Sequence, residues 1–313
     1  MKQYLVTGGA GFIGSHIVRA LVERGESVRV LDNFSSGKHE NLEDLQYTKN
    51  SNRVEILNGD LRDKLEVEKA VRGVDVIFHE AAFVSVPESM SNPQECFDVN
   101  ISGTTRLFEA ARNAGVRRMV IASSAAVYGD SDELPLKEET APRPLSPYAL
   151  SKRVTEMMAE LYTQSFHLQV CALRYFNVYG PRQRPDSMYA AAIPIFIKCL
   201  REKRTVTVFG DGGQTRDLIF VGDVVRANLI ASEHPEAAGQ IFNVCTGKES
   251  RILDLLEVLN KIFPDNPKPV FSKPRAGDIY KSFGEPSKAQ NKIGFTAETS
   301  LAAGLKITSE WNQ

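Results

Sequence analysis

The run Thr7-Gly8-Gly9-Ala10-Gly11-Phe12-Ile13-Gly14 constrains this chain more than any other stretch. It follows an apolar, β-branched segment, Tyr4 to Thr7, and opens one with helical spacing, Ile13 to Glu23. Its glycines satisfy both Gly-x-Gly-x-x-Gly and Gly-x-x-Gly-x-x-Gly. Glycine at these positions permits a tight turn and lets the backbone approach a pyrophosphate, whose charge then rests on the amides and positive dipole end of the helix. The bland alternative is a tight strand-to-helix turn with no ligand. The strand before and the helix after favour the dinucleotide reading, which assigns Gly8, Gly11, Phe12, Ile13 and Gly14 to a cofactor.

Further β-branched runs recur at Val28 to Leu31, Val54 to Leu57, Val74 to Phe78, Met119 to Ala122, Val170 to Leu173 and Ile241 to Val244, each reading as a strand buried on both faces. Between them lie helical patterns at Cys96 to Ala114, Tyr148 to Ser165 and Val224 to Ser232. Strands alternating with helices imply an α/β, doubly wound (Rossmann) parallel sheet with right-handed crossovers. After Tyr175 the regularity breaks at Pro181, Pro185 and Pro194 and in Phe209-Gly210-Asp211-Gly212-Gly213. The C-terminal stretch holds five prolines between 264 and 286 and one clear helical segment, Ile252 to Phe263. The expected organisation is a dinucleotide-binding domain over 1–176 and 217–247, with a smaller, mixed α/β lobe for the substrate over 177–216 and 248–313.

Composition narrows the partners. With 313 residues, 42% of them apolar, the chain can bury a large core, and a formal net charge of −1 provides no basic field for nucleic acid. Cys96, Cys171, Cys199 and Cys245 lack metal-ligand spacing and read as reduced, buried small residues, and no metal site is expected. Met1-Lys2-Gln3 runs straight into the first strand without a secretory pattern, and no apolar stretch reaches the roughly 18 residues of a membrane span. A cytoplasmic protein that does not enter membranes is expected.

Asp32 ends the second strand, 18 residues beyond Gly14, where a carboxylate accepts from a ribose 2′-hydroxyl and repels a 2′-phosphate. That favours NAD over NADP. Asp60-Leu61, after the third strand, suits the adenine edge, though an ordinary turn aspartate reads nearly as well. Tyr148 and Lys152, four residues apart, share one helix face. A phenol with a pKa near 10 is a weak base, but an adjacent ammonium and an oxidised nicotinamide both favour the phenolate. Ser124, after the Met119 to Ala122 strand, is placed to bond the hydroxyl that Tyr148 deprotonates. A lone Tyr-x-x-x-Lys is a weak signal; in order with the glycine turn, Asp32 and Ser124 it becomes a catalytic constellation.

Together with His79-Glu80-Ala81-Ala82, Ser123-Ser124-Ala125-Ala126-Val127-Tyr128-Gly129, Ser146-Pro147-Tyr148-Ala149-Leu150-Ser151-Lys152 and Arg174-Tyr175-Phe176-Asn177-Val178-Tyr179-Gly180, these residues resemble the extended short-chain dehydrogenase/reductase family, and within it the UDP-hexose 4-epimerases, over essentially the whole chain. The resemblance implies that Tyr148 is the base, that Lys152 binds the nicotinamide ribose and lowers the tyrosine's pKa, and that Ser124 holds the sugar's 4-hydroxyl. It adds Asn33 and Ala81 to the cofactor set and Ser85, Asn177 and Gln183 to the substrate set. Arg216 and Arg275 would pair with the diphosphate and Asp278 with the uridine ribose. Guanidinium forks suit phosphate oxygens, although a single arginine is more often a solvated surface charge.

In the implied reaction Tyr148 takes the C4 proton while hydride passes to a tightly held NAD. The 4-keto sugar turns over, hydride returns to its other face, and NAD is regenerated each cycle. Relatives that dehydrate carry an Asp-Glu pair where this chain has Ala125 and Ala126, so the agent for elimination is missing. UDP-glucuronate 4-epimerases remain an alternative, as do reductases of the same scaffold and, remotely, a non-catalytic NAD sensor. The resemblance also implies that Ser282, four residues after Asp278, stands at the gatekeeper position beside the sugar's C2 substituent, where a bulky tyrosine would block an acetamido group. The expected substrates are therefore UDP-N-acetylglucosamine and UDP-N-acetylgalactosamine, with UDP-glucose and UDP-galactose also fitting. A homodimer through helices around Cys96 to Ala114 and Tyr148 to Ser165 is what the resemblance implies.

Overall fold

In the computed structural model residues 2–46, 53–185, 192–274 and 279–311 are described. Six strands, β1 (Gln3–Thr7), β2 (Ser27–Asp32), β3 (Val54–Asn58), β4 (Val76–His79), β5 (Arg118–Ser124) and β6 (Gln169–Tyr175), join the later strand Ile241–Val244 in one sheet. Its order is Ile241–Val244, β6, β5, β4, β1, β2, β3, and every pairing is parallel. The chain therefore starts in the middle and winds outward in both directions, which opens a crevice at the carboxyl ends of β1 and β4 where the direction reverses.

Helix α1 (Phe12–Glu23) and the helix Val221–Glu233 cover one face, packing Ile17, Leu21 and Val224 against Val6 and Phe78. The helices Lys64–Ala70, Thr104–Asn113 and Pro147–Phe166 cover the other, packing Val67, Phe108 and Tyr162 against Leu5 and Ile77. Burial of each such side chain contributes about 1.5–3 kcal/mol. Among the described residues no helix is long and apolar enough to cross a membrane. All four cysteines are free and buried.

The structure departs from the sequence expectations in four places. β3 is not buried on both faces: it is the sheet's edge, and Glu55 and Asn58 are exposed. The Cys96 to Ala114 pattern is not one α-helix but Pro93–Phe97, a π-helical turn Asp98–Gly103, and Thr104–Asn113. The C-terminal region holds two helices besides Ile252–Ile262, namely Ser287–Ile293 and Leu301–Glu310. The first is short and mostly polar, leaving only Ala289 and Ile293, four apart, to mark a buried face. Lastly, Ala289, Ile293 and Phe295 pack with Phe242 beneath the sheet, so this segment of the expected lobe returns to the main core.

The rest of the lobe has its own cluster, in which Phe196, Leu255 and Leu305 meet. Asp217 ties it to the sheet. The fully buried carboxylate accepts from the Thr246 amide (2.8 Å) and hydroxyl (2.7 Å) and from the Gly247 amide (2.9 Å).

Candidate active site

The glycine turn is built too tightly for side chains. Gly8 has φ +69°, and a Cβ on it would lie 2.6 Å from the Ala81 amide nitrogen. A Cβ on Gly14 would lie 2.2 Å from the Gly8 carbonyl oxygen, so α1 starts hard against β1. Gly11 is the N-cap of α1 and offers no side-chain cap, whereas Asp63, Ser85 and Ser146 cap their own helices. The first-turn amides of α1 thus face the crevice as an anion site.

Beside it Asp32, 7% exposed, accepts from the amides of Ala10 (2.9 Å) and Phe34 (2.8 Å). Burial nevertheless raises its pKa. Asn33 donates to Asp60 at 2.7 Å, and Arg62 grips the same carboxylate, holding it well below the usual range. Gly8, Gly11, Phe12, Ile13, Gly14, Asp32, Asn33, Asp60, Leu61 and Ala81 all line one cleft of about 1560 Å³.

Ser124 and Tyr148 open into the same cleft. Ser146 caps its helix by accepting from the Ala149 amide at 3.1 Å, and Tyr148 and Lys152 follow on the first two turns. Lys152 donates to the Ala122 carbonyl at 2.8 Å, and its nitrogen lies 5.8 Å from the centre of the Tyr148 ring. Burial dominates the electrostatics of this pair. Burial pushes the phenol up to about 12, with the neighbouring Ser124 hydroxyl as the first opposing influence, while burial pushes Lys152 down to about 8. The ammonium bonds a backbone carbonyl and reaches the ring only through space. Burial thus favours the protonated phenol, and positive charge brought near the ring favours the phenolate.

Ser85, Asn177, Gln183 and Arg216 also line the cleft. Ser85 caps the helix Val86–Ser91, Asn177 donates its backbone amide to the Asp217 carbonyl at 3.0 Å, and Arg216 donates to the Thr215 carbonyl at 2.8 Å. Gln183 donates to the Val178 carbonyl at 3.0 Å, leaving its Oε1 buried without a partner among the described residues. Ser282 pairs in strand register with Arg216 but is not a lining residue. Arg275 and Asp278 lie outside the described residues.

Several residues of the site went unassigned from sequence. Asn100, on the π-helical turn, accepts from the Phe83 amide at 2.7 Å and donates to its carbonyl at 3.0 Å, clamping the loop that carries Ala81 and Ser85. A lone asparagine in a helical pattern carries no signal of this. Glu156, one turn beyond Lys152, bonds Ser123 (2.6 Å) and forks onto Arg174 (2.7 and 2.9 Å), fixing the strand end next to Ser124. His79, pushed down to about 3 by burial, bridges Thr7 and Thr104 as a neutral ring. Glu80 lies in the quoted His79 to Ala82 run, but nothing in the run says that its carboxyl enters the cleft.

The sequence pattern of the NAD dependent epimerase/dehydratase family matches residues 4–245. A putative UDP-glucose 4-epimerase of Methanocaldococcus jannaschii is 38% identical over 98% of this chain and 97% of its own. Among solved structures, the UDP-glucose 4-epimerase of Thermotoga maritima with UDP-glucose superposes with a TM-score of 0.92 at 38% identity, covering 98% of this chain and 97% of the other. The UDP-N-acetylglucosamine 4-epimerase of Methanobrevibacter ruminantium in complex with UDP-N-acetylmuramic acid gives 0.94 at 37% identity, covering 99% and 97%.

Proposed function

Because the chain belongs to the NAD dependent epimerase/dehydratase family, we propose that it is an NAD-dependent UDP-hexose 4-epimerase, acting on UDP-N-acetylglucosamine and UDP-N-acetylgalactosamine and on their glucose and galactose counterparts. NAD fits the site: the first-turn amides of α1, brought hard against β1 by the side-chain-free turn at Gly8 and Gly14, take the pyrophosphate, Asp32 the adenosine ribose, and Asp60 and Leu61 the adenine edge beside Asn33. When bound, NAD supplies a hydride acceptor and a cationic ring.

The observation that carries the reading is that Ser124 and Tyr148 share one cleft with the glycine turn and with Arg216. Ser124 holds the C4 hydroxyl, and Tyr148 takes its proton as C4 is oxidised to the ketone. Lys152, fixed to the Ala122 carbonyl, adds positive charge beneath the phenol ring. Arg216 holds the diphosphate, so the sugar turns about that anchor and offers its other face, where Tyr148 gives the proton back. Binding energy is thus concentrated on the nucleotide, which leaves the ketone free to reorient. The acetamido preference rests on the sequence position of Ser282, which the structure pairs with Arg216 in strand register without lining the cleft, and a site that lacks a clash still admits the smaller hydroxyl.

Incubating the purified protein without added cofactor with UDP-N-acetylglucosamine, UDP-glucose or UDP-glucuronate, each followed by proton NMR, tests this. Galacto epimers of the first two are expected; no turnover of any, even with NAD supplied, refutes the epimerase reading. A cytoplasmic homodimer is part of the same proposal. It is supported by the exposed stripe Leu150, Met157 and Leu161 along the helix Pro147–Phe166. Leu161→Glu should halve the mass seen by light scattering, and an unchanged mass would argue for a different interface.

A further inference from the structure

The epimerase chemistry leaves Glu80 without a task, yet its carboxyl is anchored with care. The residue follows β4 directly and lines the cleft with Ser124 and Tyr148. Its main chain abuts the glycine turn, since a Cβ on Gly8 would lie 2.9 Å from the Glu80 carbonyl carbon. Oε1 accepts from the Tyr175 hydroxyl at 2.8 Å, and that hydroxyl accepts from Asn228 Nδ2, also at 2.8 Å. Asn228 in turn donates to the Val224 carbonyl at 2.9 Å. A chain of hydrogen bonds rooted in the helix Val221–Glu233 thus holds the carboxyl at the reacting end of the cleft.

What the carboxyl lacks is a matching cation. Among the described residues the positive charge acting on it is Lys152, through space, and burial outweighs that attraction and the Tyr175 bond together, raising the acid to about 7. Its own field reaches Tyr148, pushing the phenol further up. An under-compensated carboxyl inside a cleft costs stability, and such groups concentrate where a charged ligand completes them. The nicotinamide ring carries a positive charge when oxidised and none when reduced, and it must lie within reach of the carbon held by Ser124 and Tyr148.

We propose that Glu80 is the counter-charge of the oxidised nicotinamide: anchored by Tyr175 and Asn228, its carboxylate favours the cationic form of the cofactor over the neutral one. It thereby holds the resting enzyme oxidised and keeps the bound ketone and reduced cofactor a transient pair. Glu80 is then a positioning residue for charge; it neither gives nor takes the substrate proton. This rests on the NAD reading above and goes beyond it.

The test reads cofactor retention, not turnover. Wild-type, Glu80→Gln and Tyr175→Phe proteins are equilibrated with NAD and NADH mixed in known ratio, passed through gel filtration, and the ratio of the two forms retained is measured. In a medium of effective dielectric about 20, a unit charge within about 12 Å of the ring is worth a factor of about ten or more. Glu80→Gln, which keeps the shape and the bond to Tyr175, should lower the retained NAD-to-NADH ratio about tenfold. Tyr175→Phe, which keeps the charge, should shift it far less. An unchanged ratio in Glu80→Gln overturns the proposal, as does equal loss of both forms, which would assign Glu80 to the general architecture of the cleft. If the wild-type protein retains neither form, the NAD reading itself falls.

Discussion

Replacing Glu156 with leucine should destabilise the protein by about 3–5 kcal/mol, the cost of stranding a buried charge. Glu156 is fully buried and Arg174 is 1% exposed, so neither partner can turn to water when the other is removed. The carboxylate also accepts from Ser123 and from Arg153. Once it is gone, the Arg174 guanidinium keeps the Glu138 carbonyl at 3.1 Å and the Tyr128 side chain, whose ring centre lies 4.7 Å away. Neither carries a full negative charge. The near-zero worth of exposed ion pairs does not apply here.

For a chain of this size each kcal/mol moves the melting temperature by about 2 °C, so calorimetry should record a fall of roughly 6–10 °C. The double variant Glu156→Leu with Arg174→Met should recover most of that fall, because an apolar pair replaces an ion pair with no charge left over. Turnover should fall in the single variant with little change in KM, since the network fixes the backbone beside Ser124 and never meets the sugar. A melting temperature within about 2 °C of wild type would show that the buried charge finds other compensation and would refute the reasoning.

Tyr148→Phe should lower kcat by about 10²–10⁴ while retaining cofactor, as steady-state rates and bound-nucleotide analysis would show; turnover near wild type would remove Tyr148 from the chemistry. Gly14→Ala drives a methyl into the Gly8 carbonyl, which as backbone cannot yield cheaply, so the purified protein should lose its NAD, and full retention read by absorbance would contradict this. His79 has a folded pKa of about 3 against an ordinary 6.5. Its contribution is therefore fully present above about 6.5 and is lost as pH falls toward 3, because the unfolded chain takes up a proton that the folded one excludes. Urea midpoints should fall accordingly, and a His79→Gln variant should show a flatter dependence over the same range; parallel curves would place the acid sensitivity elsewhere.

The sheet and its helices were legible because most main strands are short, β-branched apolar runs and the covering helices space their buried residues three and four apart. β3 reads like the others in its Val-x-Ile-Leu pattern, but its edge position is a property of winding order, which no local run contains. The π-helical turn was invisible for a related reason: its extra residue serves the Asn100 clamp on Phe83, a contact across 17 positions of sequence. The glycine turn, Asp32, Ser124 and Tyr148, which the fold brings to one cleft, stood out in the sequence because the proposed chemistry depends on their spacing along the chain. Glu80, Tyr175 and Asn228 meet only through the fold, from β4, β6 and the helix Val221–Glu233.

That division has a functional counterpart. The cofactor side of the cleft is drawn from the glycine turn and from the ends of adjacent strands, packed so closely that a methyl at Gly8 or Gly14 has nowhere to go. The side proposed for the sugar is drawn from scattered pieces: Ser85 after β4, Asn177 after β6, Gln183 on a loop and Arg216 on a two-residue strand. A shuttle that must oxidise one face of a carbon and reduce the other needs this asymmetry. The hydride acceptor has to stay fixed across both half-reactions, whereas the ketone between them has to turn. Rigid, contiguous elements suit the first task, and a ring of separately mounted polar groups, each holding the sugar weakly, suits the second. The same looseness lets substituents at other carbons vary without rebuilding the fold. Relatives sharing well under half their residues with this chain accordingly keep the architecture while their names record differently substituted sugars.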